Sequence, residues 1–125
     1  MKLVVIRGFT YARDPQKKYR YAVVLGMADG RLAVAPCTTY PARTGRVPYG
    51  SALLTNQCAT YEGSGFTADQ VAIRIRDVGL YSVDCRYLRR ARQVGVLDLS
   101  KDKRFTENFK MLLKEYDLMQ VQKFD

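Results

Sequence analysis

Short blocks of apolar residues alternate with polar turns through the first half of the chain. The apolar, β-branched block Lys2–Phe9 predicts a strand, and the nearly continuous apolar block Tyr21–Met27 predicts a strand buried on both faces. Asp29 and Gly30 tolerate positive φ and separate this second block from a third, Arg31–Cys37. The second and third blocks, with their turn, therefore predict a β-hairpin.

Residues 70–76 show the period of two that is typical of a half-buried strand. Apolar positions alternate with polar ones, so Arg74 and Arg76 are expected to share the face that is turned to solvent. Elsewhere the pattern predicts loops at 11–18, 38–50 and 56–65, strands at 51–55, 80–83 and 94–99, and a single helical turn within 85–93.

Near the end of the chain the apolar period becomes that of an amphipathic helix. This helix is predicted at about residues 103–118, with Ser100 as its N-cap. Strands followed by one terminal helix indicate a mainly β, α+β fold, a small barrel sealed by the helix, and a single domain over residues 1–125. The apolar stripe of the helix consists of Phe105, Phe109, Leu112, Leu113 and Tyr116.

The residue types that are missing exclude several kinds of site. The chain of 125 residues has no His, which excludes His-based triads, His metal sites and a two-histidine nuclease mechanism. Cys37, Cys58 and Cys85 are widely spaced, so we expect buried thiols in a reducing compartment and no metal or other cofactor. No apolar run approaches the roughly 20 residues of a membrane span, and Arg7 interrupts the first apolar block. We therefore expect a cytoplasmic protein without a membrane partner.

The charge of the chain favours a polyanionic partner. Lys and Arg number 21 against 12 Asp and Glu, which gives a net charge of +9 and a pI near 9.7. The segment Arg13–Tyr21 mixes cations with tyrosines, a pattern that suits single-stranded nucleic acid because cations follow phosphates and aromatic rings stack on bases. Lys17, Lys18 and Tyr19 are the candidate contacts. The alternative is a solvated loop whose tyrosines pack on the barrel.

Two segments resemble consecutive motifs of MazF/PemK-type toxins. Residues 17–25, Lys-Lys-Tyr-Arg-Tyr-Ala-Val-Val-Leu, are similar to the family's Lys-x-Arg-Pro-Ala-Val-Val-Leu segment. Residues 36–39, Pro-Cys-Thr-Thr, are similar to its next motif at a matching spacing. A softer similarity continues through the second half, so that the resemblance covers about residues 3 to 118.

The resemblance implies an SH3-like barrel of the MazF/PemK/CcdB type, usually a homodimer. It also implies a toxin that is neutralised by a cognate acidic antitoxin. Such toxins cut single-stranded RNA without a metal and leave a 2′,3′-cyclic phosphate and a 5′-hydroxyl. Arg20 matches the family's arginine and Thr38 its active-site threonine, with Thr39 beside it as a candidate RNA contact.

A metal-free cut needs a base that takes the proton of the attacking 2′-hydroxyl, and without His a carboxylate is the natural choice. Two alignments offer Asp77 or Asp69, and the one with fewer gaps favours Asp77. The forked guanidinium of Arg20 suits the growing charge on the phosphate oxygens. Thr38 would orient the phosphate, and Arg74 or Arg76 would assist. The alternative for Arg74, Arg76 and Asp77 is an ion-pair ladder that faces solvent.

Two other functions stay open from the sequence. One is a barrel of the same family that binds nucleic acid without cutting it. The other is a CcdB-like inhibitor of DNA gyrase, which the absence of Trp disfavours because that family carries a Trp near its C-terminus. The basic run Arg86–Arg92 is interpreted as an extension of the RNA groove, a contact for the antitoxin, or a plain exposed face.

Overall fold

The computed structural model describes residues 1–10, 18–40, 47–118 and 121–124. These residues form a curled antiparallel sheet, a half-barrel, and one C-terminal helix. The mainly β architecture predicted from the sequence is thereby confirmed. The elements are β1 (Lys2–Thr10), β2 (Tyr19–Ala28), β3 (Arg31–Tyr40), β4 (Ala52–Thr55), β5 (Gln70–Ile73), β6 (Gly79–Tyr81), β7 (Arg92–Asp98), α1 (Lys103–Glu115) and β8 (Lys123–Phe124), with 3₁₀ turns at Ala59–Tyr61, Ile75–Asp77 and Arg86–Leu88.

Strand β3 lies at the centre of the sheet, where it pairs with three strands, β2, β5 and β6. The main path runs β4-β5-β3-β2-β1-β7, and every pairing along it is antiparallel. One edge of β3 pairs with β2, while the other is shared by β6 and β5. The short strand β8 adds to β6 in parallel. No helix in the described ranges is long and apolar enough to cross a membrane.

The β2–β3 hairpin forms where the sequence predicts it. Asp29 has φ 54° and Gly30 has φ 72°, the pair of positive angles that a two-residue type I′ turn requires. The Asp29 carboxylate also lies 2.9 Å from Nζ of Lys123, so the turn is tied to β8. This ion pair lowers the pKa of Asp29 below its ordinary value, with the hydrogen bond from Lys123 as the main cause.

Apolar side chains pack on both faces of the sheet. The larger cluster lies between the sheet and α1, where Phe105 and Phe109 are buried with ring centroids 5.9 Å apart. The smaller cluster lies on the opposite face, where Phe9 meets Tyr81 edge to face at 5.0 Å. The 3₁₀ turn Arg86–Leu88 and Phe124 cover this second cluster. Because β2 is buried on both faces, apolar and polar residues do not alternate along it. Met27, at the hairpin end of β2, is exposed.

Two predictions about the strands are wrong. β3 continues to Tyr40, so Thr38 and Thr39 lie within a strand and not in a loop, because β5 supplies a distant partner for this segment. β5 ends at Ile73, so Arg74 and Arg76 do not alternate on a strand. The chain turns there in 3₁₀ geometry, and the N–H of Asp77 donates to the carbonyl of Arg74.

The helix ends also differ from the prediction. The N-cap is Asp102, whose Oδ1 accepts from the N–H of Phe105 at 3.0 Å. Ser100 does not cap because its hydroxyl donates to Asp98 instead. The helix ends at Glu115 and not at 118, since Tyr116 is already extended.

Candidate active site

Arg20 and Thr38 lie at the same end of neighbouring strands. The β2–β3 ladder ends with Ala22 opposite Pro36, and each of the two candidates follows two residues beyond this pair. Because side chains alternate along a strand, both share the face of Ala22 and Pro36, which is the face of the smaller apolar cluster. Arg20 is half-buried and lies opposite Phe9 of β1.

The hydroxyl of Thr38 is buried without a hydrogen-bond partner among the described residues. The backbone of Thr38 lies opposite Ala72 of β5, so strand pairing fixes its position. A buried hydroxyl that stays unpaired costs about 1–3 kcal/mol, and such groups often serve a ligand. Thr38 is therefore suited to donate to a phosphate oxygen.

Arg74 links this part of β3 to Asp77. Its backbone N–H donates to the carbonyl of Pro36 at 2.9 Å. Its Nε lies 2.7 Å from Oδ2 of Asp77, with the two side chains 33% and 22% exposed. The N–H is not directed at that oxygen, so charge and not an aligned hydrogen bond joins the pair. The Asp77 carboxylate is thus linked to Pro36 of β3 through Arg74.

Asp69, the other candidate base, lies at the end of β5 that is remote from Arg74. Its carboxylate accepts from Nδ2 of Asn56 at 3.2 Å, and its carbonyl accepts from the Asn56 N–H at 2.9 Å. These bonds stabilise the connection between β4 and β5. The structure groups Asp77, and not Asp69, with Arg74 and Pro36.

Arg76 contacts a different part of the chain, residues Tyr49 and Gly50. Its backbone N–H donates to the carbonyl of Gly50 at 3.0 Å, and its guanidinium lies 5.6 Å from the centroid of the exposed Tyr49 ring. Tyr116 approaches the same turn. Partial burial raises the pKa of the Tyr116 phenol, and neighbouring Tyr49 and Glu115 raise it further. The ladder of Arg74, Arg76 and Asp77 that the sequence suggested is therefore one ion pair and a separate cation–aromatic contact.

An open cleft of about 460 Å³ begins at Asp77 and extends to the C-terminal end of α1. The sequence does not predict it, because its walls come from residues 75–78 and from residues after position 114, which are distant along the chain. Of its lining residues, the sequence assigns Tyr116 to the helix through the period of α1, but as a member of the apolar stripe and not of a cleft. The lining residues are Ile75, Arg76, Asp77, Val78, Glu115, Tyr116, Asp117, Val121, Gln122 and Phe124.

The tyrosines of the basic–aromatic segment have different environments. Tyr21 packs on Phe66 with ring centroids 5.4 Å apart, as expected if the tyrosines of this segment pack on the barrel. Tyr19 is 57% exposed, and the guanidinium of Arg90 lies 5.3 Å from its ring centroid. Lys18 and Thr39 are exposed. Lys17 lies outside the described residues.

The basic run 86–92 presents its cations outward while its apolar residues pack inward. Arg86, Arg89, Arg90 and Arg92 are exposed, and Nη2 of Arg86 donates to the Tyr87 hydroxyl at 2.9 Å. The run therefore contains an exposed cationic face beside Tyr19.

The three cysteines are free, with Cys37 and Cys85 buried and Cys58 half-buried. Burial raises the pKa of the Cys37 thiol strongly, so it stays protonated. Within the part of the chain that the structure describes, no group of three Cys, Asp or Glu residues is placed to hold a metal ion.

Comparisons of the chain with protein-family models, with curated proteins and with solved structures give no match. A function is therefore inferred from the arrangement of Arg20, Thr38, Arg74 and Asp77.

Proposed function

We propose that the protein is an endoribonuclease that cuts single-stranded RNA without a metal and leaves 2′,3′-cyclic phosphate and 5′-hydroxyl ends. The observation that carries the proposal is the position of Arg20 and Thr38 at one end of one sheet face, with Asp77 held beside β3 through Arg74. A cation, an unpaired hydroxyl and a carboxylate are the groups that this reaction requires in the absence of His.

Each group has one role in the proposed reaction. Asp77 takes the proton of the 2′-hydroxyl, the 2′-oxygen bonds to phosphorus, and the bond from phosphorus to the 5′-oxygen breaks. The 5′-oxygen leaves with a proton from water, and the resulting hydroxide takes the proton from Asp77, which restores the carboxylate. Arg20 and the Thr38 hydroxyl bind the nonbridging oxygens, where negative charge grows in the transition state. Arg74 is a positioning residue, because it fixes the Asp77 carboxylate.

The exposed surface around Tyr19 supports a single-stranded substrate. Tyr19 and Arg90 form a flat cation–aromatic pair on which an unpaired base can stack. Arg86, Arg89 and Arg92 extend positive charge from this pair, and Lys18 adds to it. A double helix keeps its bases stacked and would not use such a surface.

The wider biological role rests on the resemblance of residues 17–25 and 36–39 to MazF/PemK-type toxins. On this basis we assign the half-barrel to the SH3-like type and the protein to a cytoplasmic toxin–antitoxin pair. It would act as a homodimer and be neutralised by a cognate acidic antitoxin. The exposed arginines of 86–92 suit an acidic partner as well as RNA.

Incubating the purified protein with single-stranded RNA and excess chelator tests the activity. We expect cyclic-phosphate ends, and no cut where a 2′-deoxy nucleotide precedes the scissile bond. Arg20→Ala should remove most of the activity, whereas Arg104→Ala, on the exposed surface of α1, should not. RNA binding without cutting over hours would identify a silent binding barrel instead.

A further inference from the structure

The cleft beside Asp77 has the size and walls of a small-molecule site. Its volume of about 460 Å³ falls within the roughly 300–1,000 Å³ that ligand pockets occupy. Asp77 belongs to its lining, so a ligand in the cleft would adjoin the carboxylate that we assign as the base. The proposed catalytic role does not use the rest of the cleft.

Flat groups converge at one side of the cleft. Gly50 has φ +77°, and a Cβ there would lie 2.6 Å from Cβ of Arg76 and 2.8 Å from the hydroxyl of Tyr116. The absence of a side chain at Gly50 thus allows Arg76 and Tyr116 to approach each other, with Tyr49 against the guanidinium. Unpaired RNA bases stack on aromatic rings and on guanidinium planes, so this side suits a nucleobase.

The lining of the cleft also contains hydrogen-bond acceptors. Glu115 and Asp117 flank Tyr116 where α1 ends, and both line the cleft. The unpaired carbonyls at a helix C-terminus carry partial negative charge, which adds to that of the carboxylates. A ligand there must present N–H groups and not carbonyl oxygens.

We infer that this cleft binds guanine, the base of the nucleotide whose 2′-hydroxyl attacks. Guanine offers two adjacent donors, N1–H and the N2 amino group, which match the two oxygens of one carboxylate. Uracil instead flanks its single N–H with carbonyl oxygens, which the carboxylates repel. The inference rests on the proposed function, because Asp77 links the base site to the reaction. Cleavage then follows guanosine.

The cutting assay uses matched RNAs with guanosine, inosine or adenosine before the scissile bond. Inosine lacks the N2 amino group, and we expect it to be cut about tenfold more slowly than guanosine, as for loss of one base-specific contact. The double variant Glu115→Gln, Asp117→Asn should lose this discrimination. Glu107→Gln, a control on the exposed side of α1, should keep it.

A binding titration separates this inference from the proposed function. Guanosine 3′-monophosphate should shift the NMR signals of residues 115–117 and of the Tyr116 ring, whereas adenosine 3′-monophosphate should not. Binding of the guanosine nucleotide by a protein that cuts no RNA would refute the nuclease and keep the guanine site. RNA cleavage that is indifferent to the base, or nucleotide binding that the double variant leaves unchanged, would overturn the guanine site and keep the nuclease.

Discussion

The backbone of Gly8 touches the backbone of Arg90. Gly8 interrupts the β1–β2 register with φ +88°, and a Cβ at this position would lie 2.3 Å from the Arg90 carbonyl oxygen. A glycine is therefore required for the 3₁₀ turn Arg86–Leu88 and the residues after it to lie against β1. The position of the Arg90 guanidinium over Tyr19 depends on this contact.

Gly8→Ala should destabilise the protein more than Gly30→Ala does. Both glycines have positive φ, so either substitution incurs backbone strain of about 1 kcal/mol. Only the alanine at position 8 also meets backbone atoms, because nothing lies within 4 Å of a Cβ at Gly30. Thermal unfolding of the two variants checks the order, and equal midpoints would contradict the packing described.

Thr38→Val should slow cleavage strongly without lowering stability. The substitution keeps the shape of the side chain and removes a buried hydroxyl that makes no hydrogen bond in the described chain. We expect an unchanged or higher unfolding midpoint and a fall in the cleavage rate of about 100-fold, typical of losing one oxyanion donor. Thr67→Val, at an exposed threonine outside the candidate site, is the matched control. Full activity in Thr38→Val would exclude the hydroxyl from the reaction.

Asp77→Asn should reduce single-turnover cleavage far more than Asp69→Asn. Asp77 is linked to Pro36 of β3 through Arg74, whereas Asp69 stabilises a connection through Asn56. The stability cost of losing the Arg74 ion pair should stay within about 1 kcal/mol, since both groups are partly exposed. A larger rate loss in Asp69→Asn would transfer the role of base to that residue.

Cys58 should react first with thiol reagents in the native protein. Cys37 and Cys85 are buried, and burial raises the pKa of Cys37, which keeps the reactive thiolate scarce. Ellman's reagent should therefore label one thiol quickly and the other two at the rate of unfolding. Cys58→Ser should remove the fast phase, and a fast phase that survives would show that a buried thiol is accessible.

The Asp29–Lys123 pair should make a small contribution to stability that depends on pH. Lys123 lowers the pKa of Asp29, so the contribution is present above the ordinary pKa of 3.8 and is lost as the pH falls through the lowered value. NMR titration should find the Asp29 pKa lowered in the native protein and near 3.8 in Lys123→Gln. The same pKa in both proteins would remove this link between the hairpin and β8.

The sequence predicts the elements that depend on contacts between residues close together in the chain. The β2–β3 hairpin follows from Asp29 and Gly30. Helix α1 follows from its apolar stripe, with its first residue correct and its end predicted at 118 in place of Glu115. Thr38 was placed in a loop because its strand partner, Ala72, is far along the chain. Strand β8 could not be predicted for the same reason, since its two residues pair only with β6.

The same distinction between local and distant contacts decides which parts of the candidate site could be predicted from the sequence. Arg20, Thr38 and Asp77 could be selected as residue types, and motif spacing placed the first two together. The Arg74–Asp77 pair could not be predicted, because a 3₁₀ turn replaces the strand expected there. The cleft depends on residues 75–78 meeting residues 115–117 and 121–124, which no periodicity of one segment reveals.

The two edges of β3 become complete at different times during synthesis. When residue 40 has left the ribosome, β2 is already available for one edge, but the partners of the other edge lie at residues 70–81. Through that interval the nascent hairpin presents open amide and carbonyl groups, the kind of edge that pairs with strands of other chains. Slow translation between residues 41 and 69 should therefore lower the yield of folded protein, and faster translation of this stretch should restore it.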